Sequence, residues 1–206
     1  FVDLHPAGYV ESYANDVSGD YQVGYGETEF YHLTQGLLWN GTAASVVNLT
    51  PTNFDESAAY GIDGNTQVGE AHKINSIGPV HPHAVLWHGT AASAVELHTS
   101  AFTDSSASAA GEGYQGGWVL KPNFNGRYHA GLWKGSADSF VDLNPTGPGQ
   151  SFVNDIGDGH AVGRILTPTV YPDSQAVMWT LTGGAASMVS LHDLLTGLGE
   201  TFQQSS

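Results

Sequence analysis

Cysteine is absent from the 206-residue chain, so the protein can form neither a disulfide nor a thiolate metal site. Basic residues are also scarce: five Lys and Arg stand against twenty Asp and Glu, and the formal net charge is −15 with neutral histidine. A field of that sign repels nucleic acids and anionic membrane surfaces. No apolar run approaches the roughly 18 residues that a membrane helix needs. We therefore expect no nucleic-acid partner and no membrane-spanning helix.

What the chain does contain is a globular composition, with 40% hydrophobic and 12% charged residues. Its 27 glycines favour many turns and short strands over long helices. At this length it can bury a core as a single domain, residues 1–206. It opens on "FVDL", inside a repeated phrase and without Met, which is typical of a mature or trimmed product.

Internal repetition is the strongest signal in the sequence. A "VxL" phrase occurs five times, and a longer phrase such as "ESYANDVSGDYQVG" occurs four times without gaps. A tryptophan recurs at intervals of 48, 46 and 46 residues, as Trp39, Trp87, Trp133 and Trp179. Self-similarity at a fixed period of this length indicates a repeat architecture.

Each unit holds four strand-sized pieces. The first, such as 84–87, is apolar on both faces, as a fully buried strand should be. The second, such as 95–97, alternates between apolar and polar residues, which is typical of a half-buried strand. The third and fourth, such as 151–156 and 160–163, are separated by turn residues that tolerate positive φ.

Four antiparallel strands about every 46 residues predict an all-β fold, a β-propeller of four to five four-stranded blades. Another closed or stacked β-repeat is the alternative. The fourth piece of each blade is expected to be an exposed outer strand. Three arrangements of the ring are possible. It has four blades and one spare strand, or it has five blades of which the two terminal ones are incomplete, or the chain is a fragment of a longer ring. We place a partial blade at 1–29, full blades at 30–74, 75–122 and 123–168, and a partial blade at 169–206.

At its repeated phrases the sequence resembles the bacterial "probable extracellular repeat, HAF family" proteins. A His-Ala phrase before a Trp stands at 83–87 and 129–133, and "FVDL" stands at 1–4 and 140–143. "NDVSGDYQVG" and "NDIGDGHAVG" supply the Asn-Asp turn and the Val-Gly ending. The resemblance covers nearly the whole chain. It implies a secreted, periplasmic or cell-surface bacterial protein, and it implies no established activity and no catalytic residues.

Three repeated positions have both a structural and a functional interpretation. The recurring Trp is either a ligand-stacking platform or a core residue, and we favour the core because the Trp ends an apolar strand. Acids in the turns suggest either calcium or local turn chemistry, and no run offers the spacing of an EF-hand. A polar residue also recurs in the second piece, as Asp3, Asn48, Glu96, Asp142 and Ser190. These residues either line a channel or form the polar face of a half-buried strand, and we favour the polar face.

Histidine is unevenly distributed. On the predicted strand assignment, eight of the ten histidines lie on one face of the propeller, and only His88 and His160 lie on the other. Aromatic residues join them there. We interpret this as an interaction face, which could be a first-row metal site, a sugar-binding surface or a pH-sensitive contact. The alternative is a common polar loop residue that the repeat copied. The candidate ligand-binding residues are His5, His32, His81, His83, His98, His129, His192, Tyr31, Tyr128 and Tyr171.

No catalytic motif is present: the chain has no GxSxG elbow, HExxH, Gly-rich phosphate loop or Cys nucleophile. We therefore expect a non-catalytic extracellular module without a cofactor or metal, which binds a glycan or a protein. A polysaccharide-acting hydrolase or lyase is the alternative. A third interpretation is a subunit of a larger complex that makes contact through exposed outer strands.

Overall fold

The computed structural model describes residues 1–74, 80–122, 125–145, 149–167, 174–182 and 185–191. Within this part the chain is all-β, and the helical residues are limited to short turns such as the 3₁₀ turns Ala43–Ser45, Ala91–Ser93 and Ala137–Ser139. The strands are β1 Tyr9–Ser18, β2 Tyr21–Thr28, β3 Thr34–Asn40, β4 Val47–Asn48, β5 Glu56–Asp63, β6 Thr66–His72, β7 His83–Trp87, β8 Val95–Glu96, β9 Asp104–Gly111, β10 Tyr114–Leu120, β11 Tyr128–Trp133, β12 Val141–Asp142, β13 Gln150–Gly157, β14 His160–Leu166, β15 Ser174–Thr182 and β16 Ala185–Ser190.

These strands form four antiparallel sheets of four strands each, in simple hairpin order. The sheets are β1–β4, β5–β8, β9–β12 and β13–β16. Each sheet therefore contains a third and a fourth piece followed by the first and second pieces of the next predicted unit. The expected all-β class with four antiparallel strands per repeat is confirmed.

The position of the fourth piece differs from the prediction. β6 lies between β5 and β7, where Val68 pairs with Leu86, so the fourth piece is an interior strand and the expectation of an exposed outer strand is wrong. The physical reason is hydrogen bonding: β7 runs antiparallel to β6 and pairs with it from Gln67 opposite Trp87 to Ala71 opposite His83, so both edges of β6 have a bonded neighbour. The predicted unit boundaries at 74/75 and 122/123 consequently fall between two paired strands of one sheet.

The recurring Val-Gly ending has a steric cause. The strand opposite it carries a β-bulge, for example between Ala59 and Gly61 in β5, which brings the carbonyl oxygen of Ala58 against Gly69. A Cβ at Gly69 would lie 1.9 Å from that oxygen. The same close approach, 1.8–2.0 Å, recurs at Gly24, Gly117 and Gly163. Only glycine fits such a position, so the bulge explains why the repeat retains it.

The core lies between consecutive sheets. The first strand of each sheet packs on the sheet before it, so that β5, β9 and β13 contact β1, β5 and β9 in turn. Trp87 packs with Val23, Leu38 and Leu49 of the first sheet, and Trp133 and Trp179 hold the same position at the next two interfaces. All four repeated tryptophans are at most 1% exposed, which confirms their interpretation as core residues.

A buried hydroxyl also joins each pair of sheets. The Oγ of Ser57 accepts the backbone N–H of Gly36, the Oγ of Ser105 accepts that of Ala84, and the Oγ of Ser151 accepts that of Ala130, each at 2.9 Å. The three serines are completely buried. Because an unpaired buried N–H is costly, this hydroxyl fixes how one sheet sits on the next.

The acids near the turns bond backbone of the following sheet. Asp16 Oδ2 accepts the N–H of Ile62, and Asp63 Oδ2 accepts that of Glu112, both at 2.9 Å. Asn15 Nδ2 donates to the carbonyl of Ala59 at 2.8 Å. These side chains therefore join sheets as well as shaping turns.

The four sheets follow one another in chain order. Among the described residues, no interface comparable to the three internal ones joins the fourth sheet to the first, and the series is open at both ends. Within that same part of the chain, no helix has the length and apolar character needed to cross a membrane.

Candidate functional site

One end of the sheets carries most of the histidines. At this end β6 finishes, β7 begins, β8 finishes and β9 begins, because antiparallel neighbours alternate in direction. We call it the histidine end. It carries His5, His32, His72, His81, His83, His98 and His129, while His88 follows β7 and His160 starts β14 at the opposite end.

Three of the candidate residues lie together between the second and third sheets, and we call His81, His83 and His98 the three-histidine cluster. The rings of His83 and His98 are stacked, with centroids 3.7 Å apart and planes 3° from parallel. A polar neighbour holds the Nδ1 of each ring. His83 Nδ1 lies 2.5 Å from Glu96 Oε1, His81 Nδ1 lies 2.6 Å from Asp104 Oδ1, and His98 Nδ1 lies 2.9 Å from Ser105 Oγ.

Strand register places His83 against its carboxylate. Val85 of β7 lies opposite Glu96 of β8, so His83, two residues before Val85, is the diagonal neighbour of Glu96 on the same face. The third sheet repeats the arrangement, with His129 Nδ1 3.0 Å from Asp142 Oδ2. In the first sheet the same diagonal joins two uncharged amides, because Asn48 Nδ2 donates to Gln35 Oε1 at 2.7 Å. The polar position of the second piece is therefore one half of a repeated cross-strand pair.

Electrostatics separate the members of the cluster. Burial, and then the charges of His83 and His81 when these are protonated, lower the pKa of His98 to about 4. His98 is therefore neutral at pH 7. His81 and His83 remain partly open to solvent, with side chains 42% and 29% exposed.

Each ring of the cluster has a second nitrogen, Nε2. Among the described residues, no hydrogen bond reaches Nε2 of His81, His83 or His98. When Nδ1 of neutral His83 donates to Glu96, its Nε2 presents a lone pair. The carboxylate also fixes the ring orientation. The cluster can thus offer directed hydrogen-bond acceptors to a ligand.

Aromatic rings enclose the cluster. Phe54 meets His83 edge-on at 5.7 Å between centroids, and Phe102 meets His98 in the same manner at 5.7 Å. Phe102 in turn contacts Phe140, and Lys121 Nζ lies 4.9 Å from the centroid of the Phe140 ring. Phe54 and Phe102 hold the imidazole planes in place. Phe102 is a core residue, so the partly exposed Phe54 and Phe140 supply the apolar surface beside the polar groups.

The remaining candidates lie at the histidine end but outside the cluster. His5 Nδ1 lies 2.9 Å from Ser12 Oγ, and His32 pairs with Glu27. Tyr31 is 81% exposed, and Tyr128 packs against Trp118 and Phe152. His129 is held by Asp142 in the third sheet. His192 and Tyr171 lie outside the described residues.

Sequence reasoning missed the partners of the histidines. Glu96 and Asp104 hold two imidazoles, and Phe54 and Phe102 flank the stacked pair. The signal for Glu96 was present: the pairs Gln35 with Asn48, His83 with Glu96 and His129 with Asp142 each stand 13 residues apart. Asp104 and the two phenylalanines come from loops and a neighbouring sheet, and no local pattern connects them with the cluster.

Within the described residues, no group of three or more His, Asp or Glu side chains is arranged to hold a metal ion. The chain matches no protein-family model, and no curated protein matches it. The chemistry of the site therefore has to be inferred from its own residues.

Proposed function

We propose that the chain is a non-catalytic interaction module that binds a carbohydrate at its histidine end, with its four sheets as consecutive blades of a β-propeller. The observation that carries the binding proposal is the three-histidine cluster. Its Nδ1 atoms are held by Glu96, Asp104 and Ser105, and its Nε2 atoms have no partner among the described residues.

The arrangement of the sheets supports the propeller proposal. β1, β5, β9 and β13 follow one another as contacting strands, as the innermost strands of successive blades do. Each of the next three sheets repeats the hairpin order of the first. In keeping with the resemblance of its phrases to HAF repeats, we place the protein outside the bacterial cytoplasm.

Sugar hydroxyls suit this cluster better than a phosphate or a nucleic acid would. A sugar hydroxyl can donate a hydrogen bond to the lone pair of an imidazole Nε2. Nearby aromatic rings can also pack against the apolar face of a sugar. Glu96, Asp104 and a formal net charge of −15 repel anionic ligands. The ligand we propose is therefore a neutral or basic glycan.

A glycan array probed with the full chain, followed by calorimetry on the best polysaccharide, tests the proposal. His83→Gln should weaken binding at least tenfold, because an amide cannot restore the acceptor at Nε2 while it remains bonded to Glu96. His88→Gln is the matched control: His88 lies at the opposite end of the same strand and should leave affinity unchanged.

Two results would overturn the proposal. If the chain binds no neutral or basic glycan, the proposed ligand class is wrong. If His83→Gln and His88→Gln bind a glycan with equal affinity, the glycan does not bind at the three-histidine cluster. Turnover of a bound polysaccharide would instead identify a hydrolase or lyase. A protein that binds the histidine end without any glycan would identify a protein-binding module.

A further inference from the structure

The two ends of the series of sheets are complementary halves of one interface. At each internal interface, two faces of neighbouring sheets pack together. We call the face that a sheet presents to the next sheet its outgoing face, and the face that it presents to the preceding sheet its incoming face. In the described part of the chain, no sheet packs on the incoming face of the first sheet, which carries Ser12, Ala14 and Val17. Among the same residues, no sheet packs on the outgoing face of the fourth sheet, which carries the exposed residues Asn154, Asp155, Val162 and Ala176. We propose that these two faces dock on each other between two copies of this chain, head to tail.

Exposure identifies these faces as unpartnered. Val17 is 61% exposed, whereas its counterpart Ile62 in the second sheet is 5% exposed beneath the first. Val162 is 39% exposed, whereas its counterparts Val23 and Val68 are completely buried by the sheet that follows each of them. Val17 and Val162 are thus surface residues, although their counterparts inside the chain are core residues. Trp39, the counterpart of Trp87 on the incoming face, is only 1% exposed.

The polar groups of the interface are also present at the free faces. Asn15 and Asp16 of the first sheet bond the backbone of Ala59 and Ile62 in the second. The fourth sheet has the same pair, Asn154 and Asp155, and both residues are exposed. The partner that matches Asn154 is the carbonyl of Ala14 in the incoming face of a second copy. The N–H of Val17, which matches Asp155, donates to Asp16 Oδ1 at 2.8 Å within its own chain and would exchange partners on docking.

The buried hydroxyl of the internal interfaces has its counterpart in Ser12. Ser57, Ser105 and Ser151 each accept the N–H of the preceding sheet at Gly36, Ala84 and Ala130. Ala176 occupies the corresponding position in the fourth sheet and is exposed. Docking would bring the Ala176 N–H of one copy to the Ser12 hydroxyl of the next.

An N-terminal segment, Phe1–His5, partly covers the incoming face. His5 reaches Ser12 as His98 reaches Ser105, so the segment stands where the last strand of a preceding sheet would lie. It fits loosely: Phe1 and Val2 are exposed, and the segment, Ala14 and Trp39 together line an open cavity of about 300 Å³. A docking copy would displace it.

A second copy is the occupant that the structure favours, because any copy carries the complement of both faces. Such a contact is heterologous, so it continues into a ring or a longer stack rather than ending at a symmetric dimer. Each copy carries a formal net charge of −15, so mutual repulsion opposes the contact and salt should favour it. This interface is separate from the proposed glycan site and does not depend on it.

Sedimentation velocity of the full chain over a concentration series, at low and high salt, tests the proposal. We expect association that strengthens with salt. Val17→Lys and Val162→Lys should each weaken self-association at least tenfold, because every head-to-tail contact between copies of one variant contains an altered face. Mixing the two variants should restore a one-to-one dimer, because each retains the face that the other has lost. Ile74→Lys, at an exposed apolar residue away from both faces, is the control and should associate like wild type.

A wild-type chain that stays monomeric at high concentration and high salt would overturn the proposal, as would a mixture of the two variants that does not dimerise. Closure of the series within one chain would also overturn it, and would appear as a lowered Tm of the monomeric Val17→Lys and Val162→Lys variants. A chain lacking residues 1–5 should associate severalfold more tightly. An unchanged Kd for that variant would contradict displacement of the segment.

Discussion

His83 and His98 stack face to face, with ring centroids 3.7 Å apart and planes 3° from parallel. Two imidazolium ions at this separation would repel strongly, so the stack favours one proton at most. His83 Nδ1 lies against the carboxylate of Glu96, whereas Nδ1 of His98, the inner ring, lies against the hydroxyl of Ser105. Burial and the neighbouring histidines lower the pKa of His98, so this inner ring is neutral at pH 7.

The neutral inner ring predicts a loss of stability in acid. The pKa of His98 is lowered from 6.5 to about 4, so between these values the unfolded chain takes up a proton that the folded chain does not. Above pH 6.5 His98 makes no pH-dependent contribution. As pH falls from 6.5 to 4, it should lower the unfolding free energy by about 1–2 kcal/mol, allowing for its partial exposure to solvent. Urea unfolding across this pH range measures the effect.

The control for this prediction is His98→Asn. Asn144 holds the same position in the third sheet, where its Oδ1 accepts a hydrogen bond from Ser151 Oγ, so asparagine can keep the contact without titrating. The difference in unfolding free energy between wild type and variant should shrink or reverse as pH falls. A difference that stays constant with pH would contradict a lowered pKa.

Removal of a buried inter-sheet hydroxyl should destabilise the fold. Ser105→Ala leaves the N–H of Ala84 without its acceptor and takes a partner from His98. We expect a loss of about 1–3 kcal/mol in unfolding free energy. Ser12→Ala is the matched variant at the free incoming face and should cost less than about 0.5 kcal/mol in the monomer. Equal losses would show that the inter-sheet bond contributes nothing specific.

A methyl group at the Val-Gly position should be poorly tolerated. In Gly69→Ala the new Cβ would meet the backbone oxygen of Ala58 at 1.9 Å, and relief requires the bulged strand to move. We expect a loss of at least about 3 kcal/mol, or failure to fold. Gly157→Ala, where no atom lies within 4 Å of the new Cβ, should be neutral or slightly stabilising. Thermal unfolding of Gly69→Ala and Gly157→Ala measures the difference. Similar Tm values for the two variants would contradict a steric requirement for glycine at position 69.

The cross-strand pairs should be interchangeable between sheets. The double variant His83→Gln with Glu96→Asn gives the second sheet the amide pair that the first sheet has in Gln35 and Asn48. Its unfolding free energy at pH 7 should lie within about 1 kcal/mol of wild type, because one partly exposed hydrogen-bonded pair replaces another. Glycan binding should be lost, since no imidazole acceptor remains at this position. Retention of binding in a stable double variant would separate the ligand site from His83.

Much of the architecture could be predicted from the sequence. The strand pieces, their number in each repeat and the burial of the tryptophans follow from local alternation and from residues such as Trp87 that repeat at a fixed interval. The concentration of histidines at one end also follows from the antiparallel order of short strands. The contacts of those histidines could not be predicted, because Asp104 reaches His81 from a strand 23 residues away in sequence.

The sequence by itself determined a repetitive all-β chain with a histidine-rich end, because alternation and turn chemistry are local properties. Tertiary structure decided where each sheet begins. A periodic pattern is the same whichever strand is taken as the first of the unit. It therefore does not predict whether β6 pairs with β7 inside a sheet or is the edge strand of a sheet. That choice depends on hydrogen bonds between non-neighbouring segments, and on burial of Ser57, Ser105 and Ser151 against the preceding sheet.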